Sequence, residues 1–120
     1  DRYISYCSFM TRAKGEFQRN PQPVMRHFLQ NPPRQHVLFW PQHQFLTDPD
    51  GKLLTDYVGR VETMQQSYDE ICSGIGIPSA TLEKVNSSTR AGYRDYYDDE
   101  LIKGVARVYE RDLELFGYEF

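Results

Sequence analysis

The stretch Asn86-Ser87-Ser88-Thr89-Arg90 gathers hydroxyl donors beside an arginine and has no apolar period. It reads as a loop with hydrogen-bonding chemistry on offer. Arg60 and Glu62 stand at a junction that leads into a helix, where such a pair more often makes a structural ion pair or a capping interaction than a reaction centre. His27, His36 and His43 lack the spacing of a metal cluster; His43, next to Pro41-Gln42, is the one best placed by sequence for substrate contact. Cys7 and Cys72 fall in apolar helical patterns with no CxxC or Cys/His ligand spacing, so they read as free buried thiols. Trp40, Tyr96 and Tyr97 could stack on an adenine or a sugar ring, but aromatic rings of this size usually fill a core. No Gly-rich phosphate cradle and no lysine-bearing loop occurs, and no catalytic base is assigned.

These residues must be positioned by a chain of 120 residues with 39% hydrophobic and 26% charged content, enough for one core and too little for two. Residues 2–17 place Tyr3, Tyr6, Cys7, Met10, Ala13 and Phe17 on one helical face, which predicts that the chain opens in an amphipathic helix needing a partner. Asn20-Pro21-Gln22-Pro23 ends it, and a short helix over 24–29 is closed by Asn31-Pro32-Pro33. Two apolar runs, 37–46 and 53–58, flank Asp48-Pro49-Asp50-Gly51 and predict a β-hairpin or strand pair, with 52–58 the better strand. Thr63 three residues before Gln66 suggests a capping box for a helix that ends at Gly74 and Gly76. A last helix, capped by Asp98 or Asp99 and stopped by Gly117, carries Leu101, Ile102, Val105, Val108, Tyr109, Leu113 and Phe116, and Asp112 interrupts its apolar face. The acidic run 95–100 suits the start of that helix.

Several of these pieces recur in one order: Trp40-Pro41-Gln42, Phe45-Leu46, the segment Asp56-Tyr57-Val58-Gly59-Arg60-Val61-Glu62-Thr63 ahead of a helix, the hydroxyl loop, Tyr96-Tyr97, and Asp112 with Phe116-Gly117-Tyr118. The pattern resembles the C-terminal region of the PAPS-dependent sulfotransferases, in particular the carbohydrate sulfotransferases and their bacterial relatives. That family carries an Arg-x-Pro-x-x-Arg-x-x-Ser motif for the nucleotide 3'-phosphate, and Arg2 and Ser5 match its second half. Where the family has an aromatic residue two places after the serine, this chain has Cys7. The resemblance implies an α/β fold, P-loop-like with a central parallel sheet. Residues 1–120 would be the C-terminal portion of that single domain, mostly helical with a short strand pair. It also implies that Arg2, Ser5, Ser88, Thr89 and Arg90 bind the co-substrate PAPS, without a metal. The acceptor would be a hydroxyl, on a carbohydrate or another small molecule. A cytoplasmic setting is implied for a bacterial protein and the Golgi lumen for a eukaryotic one.

The start at Asp1 without an initiator Met, together with the half motif, gives the expectation of a piece of a larger enzyme that lacks its phosphosulfate loop and acid/base residue. A net charge of -3 and a pI near 5.6 argue against nucleic-acid binding by bulk charge, and the apolar runs are too short to span a bilayer. The competing expectation is a non-catalytic helical module that binds a protein partner or self-associates through its first helix. A kinase-like or nucleotide-hydrolysing P-loop piece is disfavoured because no Walker motif is present.

Overall fold

The computed structural model describes residues 2–34, 36–83 and 92–120, and the chain is mostly helical. Helix α1 (Arg2–Met10) leads through a turn into the short α2 (Glu16–Arg19) and then α3 (Pro21–Gln30). The helical face expected over 2–17 is not one helix: α1 ends at Met10, Arg12–Lys14 form a tighter turn, and Gly15, at a left-handed φ of 61°, sets off α2, with Met10 and Ala13 exposed. Pro21 begins α3, where a missing N–H is no loss, so the Pro-rich stretch starts a helix and the segment expected at 24–29 extends to 21–30.

The apolar face of α1 finds its partner within the chain. Tyr3, Ile4, Tyr6 and Cys7 are each at most 2% exposed, and they pack with Phe17, Met25, Phe39, Leu101 and Tyr109. The Tyr6 ring sits edge-on to Phe28 at 5.1 Å and to Phe39 at 5.2 Å, and Phe17 stacks on Tyr96 at 5.5 Å. Each of these large side chains contributes about 1.5–3 kcal/mol by leaving water. The environment is dry enough that burial pushes the Cys7 thiol up to about 12 and raises the Tyr3, Tyr97 and Tyr109 hydroxyls above their ordinary range. Self-association through α1 therefore loses the exposed face that motivated it.

The strand pair reduces to one antiparallel bridge, Thr47 with Leu53, around the turn. The turn itself forms as its sequence predicts: Asp48 Oδ1 accepts from the N–H groups of Asp50 and Lys52, and Gly51 takes φ 81°. No strand grows from it over 52–58. Leu53 and Leu54 are 37% and 68% exposed, so no packed layer supports a ladder, and a lone two-stranded hairpin is marginal. Among the described residues this bridge is the whole of the β pairing, so the parallel sheet implied by the resemblance is not built from them.

Two further helices, α4 (His43–Leu46) and α5 (Met64–Ile75), precede the final pair, α6 (Asp99–Val108) and α7 (Glu110–Phe116). Helix α5 lies where the spacing predicts, stopped by Gly76 at φ 73°, but the capping box is not made: the Thr63 side chain accepts no cap hydrogen bond and Gln66 donates to Glu70 instead. The last helix breaks at Tyr109, which turns its ring beside Phe39 and donates its hydroxyl to the Phe39 carbonyl at 2.7 Å. A radius of gyration of 16.4 Å exceeds the roughly 14 Å of a compact chain this long. In residues 53–82, Leu54, Val61, Met64, Ile75 and Ile77 are all at least half exposed.

Asp98 caps α6 by accepting from Leu101 N–H at 2.9 Å and pairs with Arg26 of α3. The Leu101 N–H, and after it the Arg26 charge, hold its carboxyl below the ordinary value of 3.8. Because the folded-state value is depressed, this contribution is present above 3.8 and is lost as the pH falls through the lower folded value. Asp98→Asn, which keeps a capping oxygen but removes the charge, should lower the urea midpoint at pH 7. The midpoints of the two proteins should converge in acid.

Candidate functional site

The segment between Pro33 and Leu46 has little regular structure of its own and is fixed by side chains reaching it from both ends of the chain. From α1, Arg2 donates Nη2 to the Val37 carbonyl at 2.7 Å. The Gln42 amide oxygen, in the orientation its surroundings require, accepts from Arg2 Nη2 at 2.8 Å and Nε at 3.2 Å. From α7, the Asp112 carboxylate accepts from Gln42 N–H at 2.6 Å and His43 N–H at 2.8 Å, capping α4. His43 Nδ1 lies 2.8 Å from Asp112 Oδ1. Asp112 is 7% exposed, so the residue that interrupts an apolar helix face in the sequence is a buried acceptor in the fold.

That contact fixes the role of Nδ1. An ionised carboxylate only accepts, so His43 donates from Nδ1, and Nε2 is the ring nitrogen left facing away from Asp112. The Nε2 atom has no hydrogen-bond partner among the described residues. His43 lines an open cleft of about 510 Å³ between α4, the Asp48–Gly51 turn and Arg111 of α7. The sequence marked His43 as the histidine nearest a substrate and Asp112 as an anomaly, but their pairing across 69 positions left no local signal.

A second network ties the segment Asp56–Thr63 to the C-terminal tail. Gly59 packs so closely on α5 that a Cβ there would lie 3.0 Å from Ser67 Cβ, and Arg60 N–H donates to Ser67 Oγ at 3.1 Å. The Arg60 guanidinium bonds the Phe116 carbonyl and lies 4.9 Å from the centre of the Tyr118 ring. Glu62 accepts from the Tyr118 hydroxyl at 3.1 Å. Arg60 and Glu62 thus meet through Tyr118.

Ser5 lies on α1 one turn beyond Arg2 and is exposed, whereas the Arg2 guanidinium is turned inward to Val37 and Gln42. Ser88, Thr89 and Arg90 lie outside the described residues. Trp40 leans on Phe45 at 6.0 Å and Tyr97 meets Phe120 at 4.8 Å, both as packing. Among the described residues no group of three or more His, Cys, Asp or Glu is placed to hold a metal, and no helix is long and apolar enough to cross a membrane.

No family model, curated protein or solved structure matches the chain.

Asp112→Ala strands the Gln42 and His43 amides in a dry site and should cost about 3 kcal/mol of unfolding free energy. Asp69→Ala, which removes only the exposed contact to Gln65, should stay within about 0.5 kcal/mol in the same urea titration.

Proposed function

We propose that the chain is part of a PAPS-dependent sulfotransferase that moves a sulfuryl group to a hydroxyl of a carbohydrate or another small acceptor. One observation carries the reading beyond the sequence pattern. The pieces that form the pattern meet in pairs: the tryptophan-proline-glutamine segment against Asp112, and the Arg60–Glu62 segment against Phe116 and Tyr118. Pieces this far apart in sequence need not touch, and their doing so supports a shared architectural role.

The residues toward the nucleotide divide by geometry. Ser5, exposed near the start of a nine-residue helix, fits a 3'-phosphate oxygen, since hydroxyl and helix N-terminal donors both favour that anion. Arg2 fits the same site less directly: its charge is held on Val37 and Gln42, so its part is to anchor α1. Ser88, Thr89 and Arg90 remain proposed ligands by sequence. The nucleotide would supply the activated sulfuryl group, and this chain would hold its 3'-phosphate and shape the acceptor side. The parallel sheet, the phosphosulfate loop and the cellular setting belong to the same proposal.

Titrating PAP, the desulfated nucleotide, into the protein at its full natural length should give saturable binding. Ser5→Ala should weaken it by roughly 10-fold, the worth of one hydrogen bond to a charged phosphate. A full-length protein that binds no PAP would overturn the reading.

The exposed apolar residues of 53–77 favour a second reading, a non-catalytic module that self-associates through this region. On that reading sedimentation shows a dimer that Val61→Asp with Ile75→Asp converts to monomer, whereas a monomer at all concentrations removes it.

A further inference from the structure

We propose that Gln65 is a positioning residue for the nucleotide: its side-chain amide fixes the segment 78–82, from which the chain runs on to Ser88, Thr89 and Arg90. This rests on the sulfuryl-transfer reading, in which those three residues are ligands, and adds a residue that the sequence pattern leaves out. Gln65 stands in the first turn of α5, and the segment it holds follows the end of that helix. Gly76 turns the chain back at φ 73°, and Ile77 N–H closes the turn on the Cys72 carbonyl at 2.9 Å. From Gln65 to Gly76 the helix rises about 17 Å, and residues 78–82 cover about the same distance only when extended. They lie outside helix and strand and are all exposed, so packing does not fix their path.

The Gln65 amide supplies what packing does not. Its Nε2 donates to the Ala80 carbonyl at 3.0 Å and its Oε1 accepts from Leu82 N–H at 2.7 Å. A neighbouring strand would make the same pairing with alternate backbone groups. The other Nε2 proton goes to Asp69 Oδ1 at 2.8 Å, one turn along α5, so both donors are used and the amide plane is held. A segment fixed in this way meets the nucleotide already placed, and binding then costs less ordering. With both bonds gone the ligand must itself order residues 78–82. Two net hydrogen bonds set the scale of that loss at roughly 10-fold in affinity.

The test measures calorimetric binding of PAP, and of 5'-AMP, which lacks the 3'-phosphate, to the full-length protein. Gln65→Leu keeps the bulk of the side chain and removes both bonds to the segment, so the thermal midpoint should be little changed. PAP affinity should fall about 10-fold while 5'-AMP affinity stays within about twofold. A positioning residue acts only through what it positions, so the loss should shrink to within about twofold when Arg90→Ala is already present. In the unaltered protein, saturating PAP should slow amide exchange at Leu82 by at least about 10-fold. Unchanged PAP affinity in Gln65→Leu overturns the assignment, as does an equal loss of 5'-AMP, a full loss that persists beside Arg90→Ala, or a Leu82 amide that PAP does not slow. An unaltered protein that binds no PAP fails earlier and overturns the sulfuryl-transfer reading itself.

Discussion

The Asp112 carboxylate sits where water is nearly absent, and a buried carboxylate is tolerated only when donors surround it. Two of those donors are main-chain N–H groups of Gln42 and His43, which places the start of α4 against α7 whatever the side chains there do. Tyr109 adds the matching constraint one turn earlier, since its hydroxyl bonds the Phe39 carbonyl. The irregular stretch from Val37 to Leu46 is therefore pinned by the last two helices, while Arg2 pins it from the first. The core of α1, α3 and α6 lies under the same stretch through Phe39, so packing and polar pinning reinforce each other.

The same constraint accounts for the departure from helical regularity. The helix expected from Asp99 to Phe116 breaks at Tyr109, at φ -111° and ψ 20°, and Tyr109 and Asp112 on either side of the break both bond the segment 39–43. The helical period in that sequence is correct for each half. The break was not legible because Tyr109 fits an apolar helix face well, and its partner, the Phe39 carbonyl, is 70 positions away. Other features were local and therefore readable: the Asp98 cap, the Gly76 stop and the Asp48–Gly51 turn each depend on residues within a few positions. The strand over 52–58 failed for the opposite reason, because an apolar run beside a turn does not by itself supply the second layer that a strand needs.

The candidate site divides along the same line. Arg2 and Ser5 could be singled out from a short motif, but only the fold turns Arg2 inward and leaves Ser5 exposed. His43 had a weak signal from its neighbours and Asp112 a negative one, as a charge on an apolar face. A buried charge on an otherwise apolar helix face is the hint that could have paired them, since it requires a donor somewhere in the chain. The Arg60 to Tyr118 contact holds the region around α5 to the tail by polar and cation–π contacts at a half-exposed surface. That region, with its exposed apolar residues, is more weakly tied than the centre.

If Asp112 organises the site, the Gln42 and His43 amides are closed hydrogen bonds in the folded protein, although they belong to a short helix start that would otherwise exchange freely. Residue-resolved amide hydrogen exchange reads this directly. The account predicts that both amides are protected by at least about 10²-fold over unstructured rates, comparable with the interior of α6. Exchange of Gln42 and His43 at unstructured rates, with α6 still protected, would contradict it.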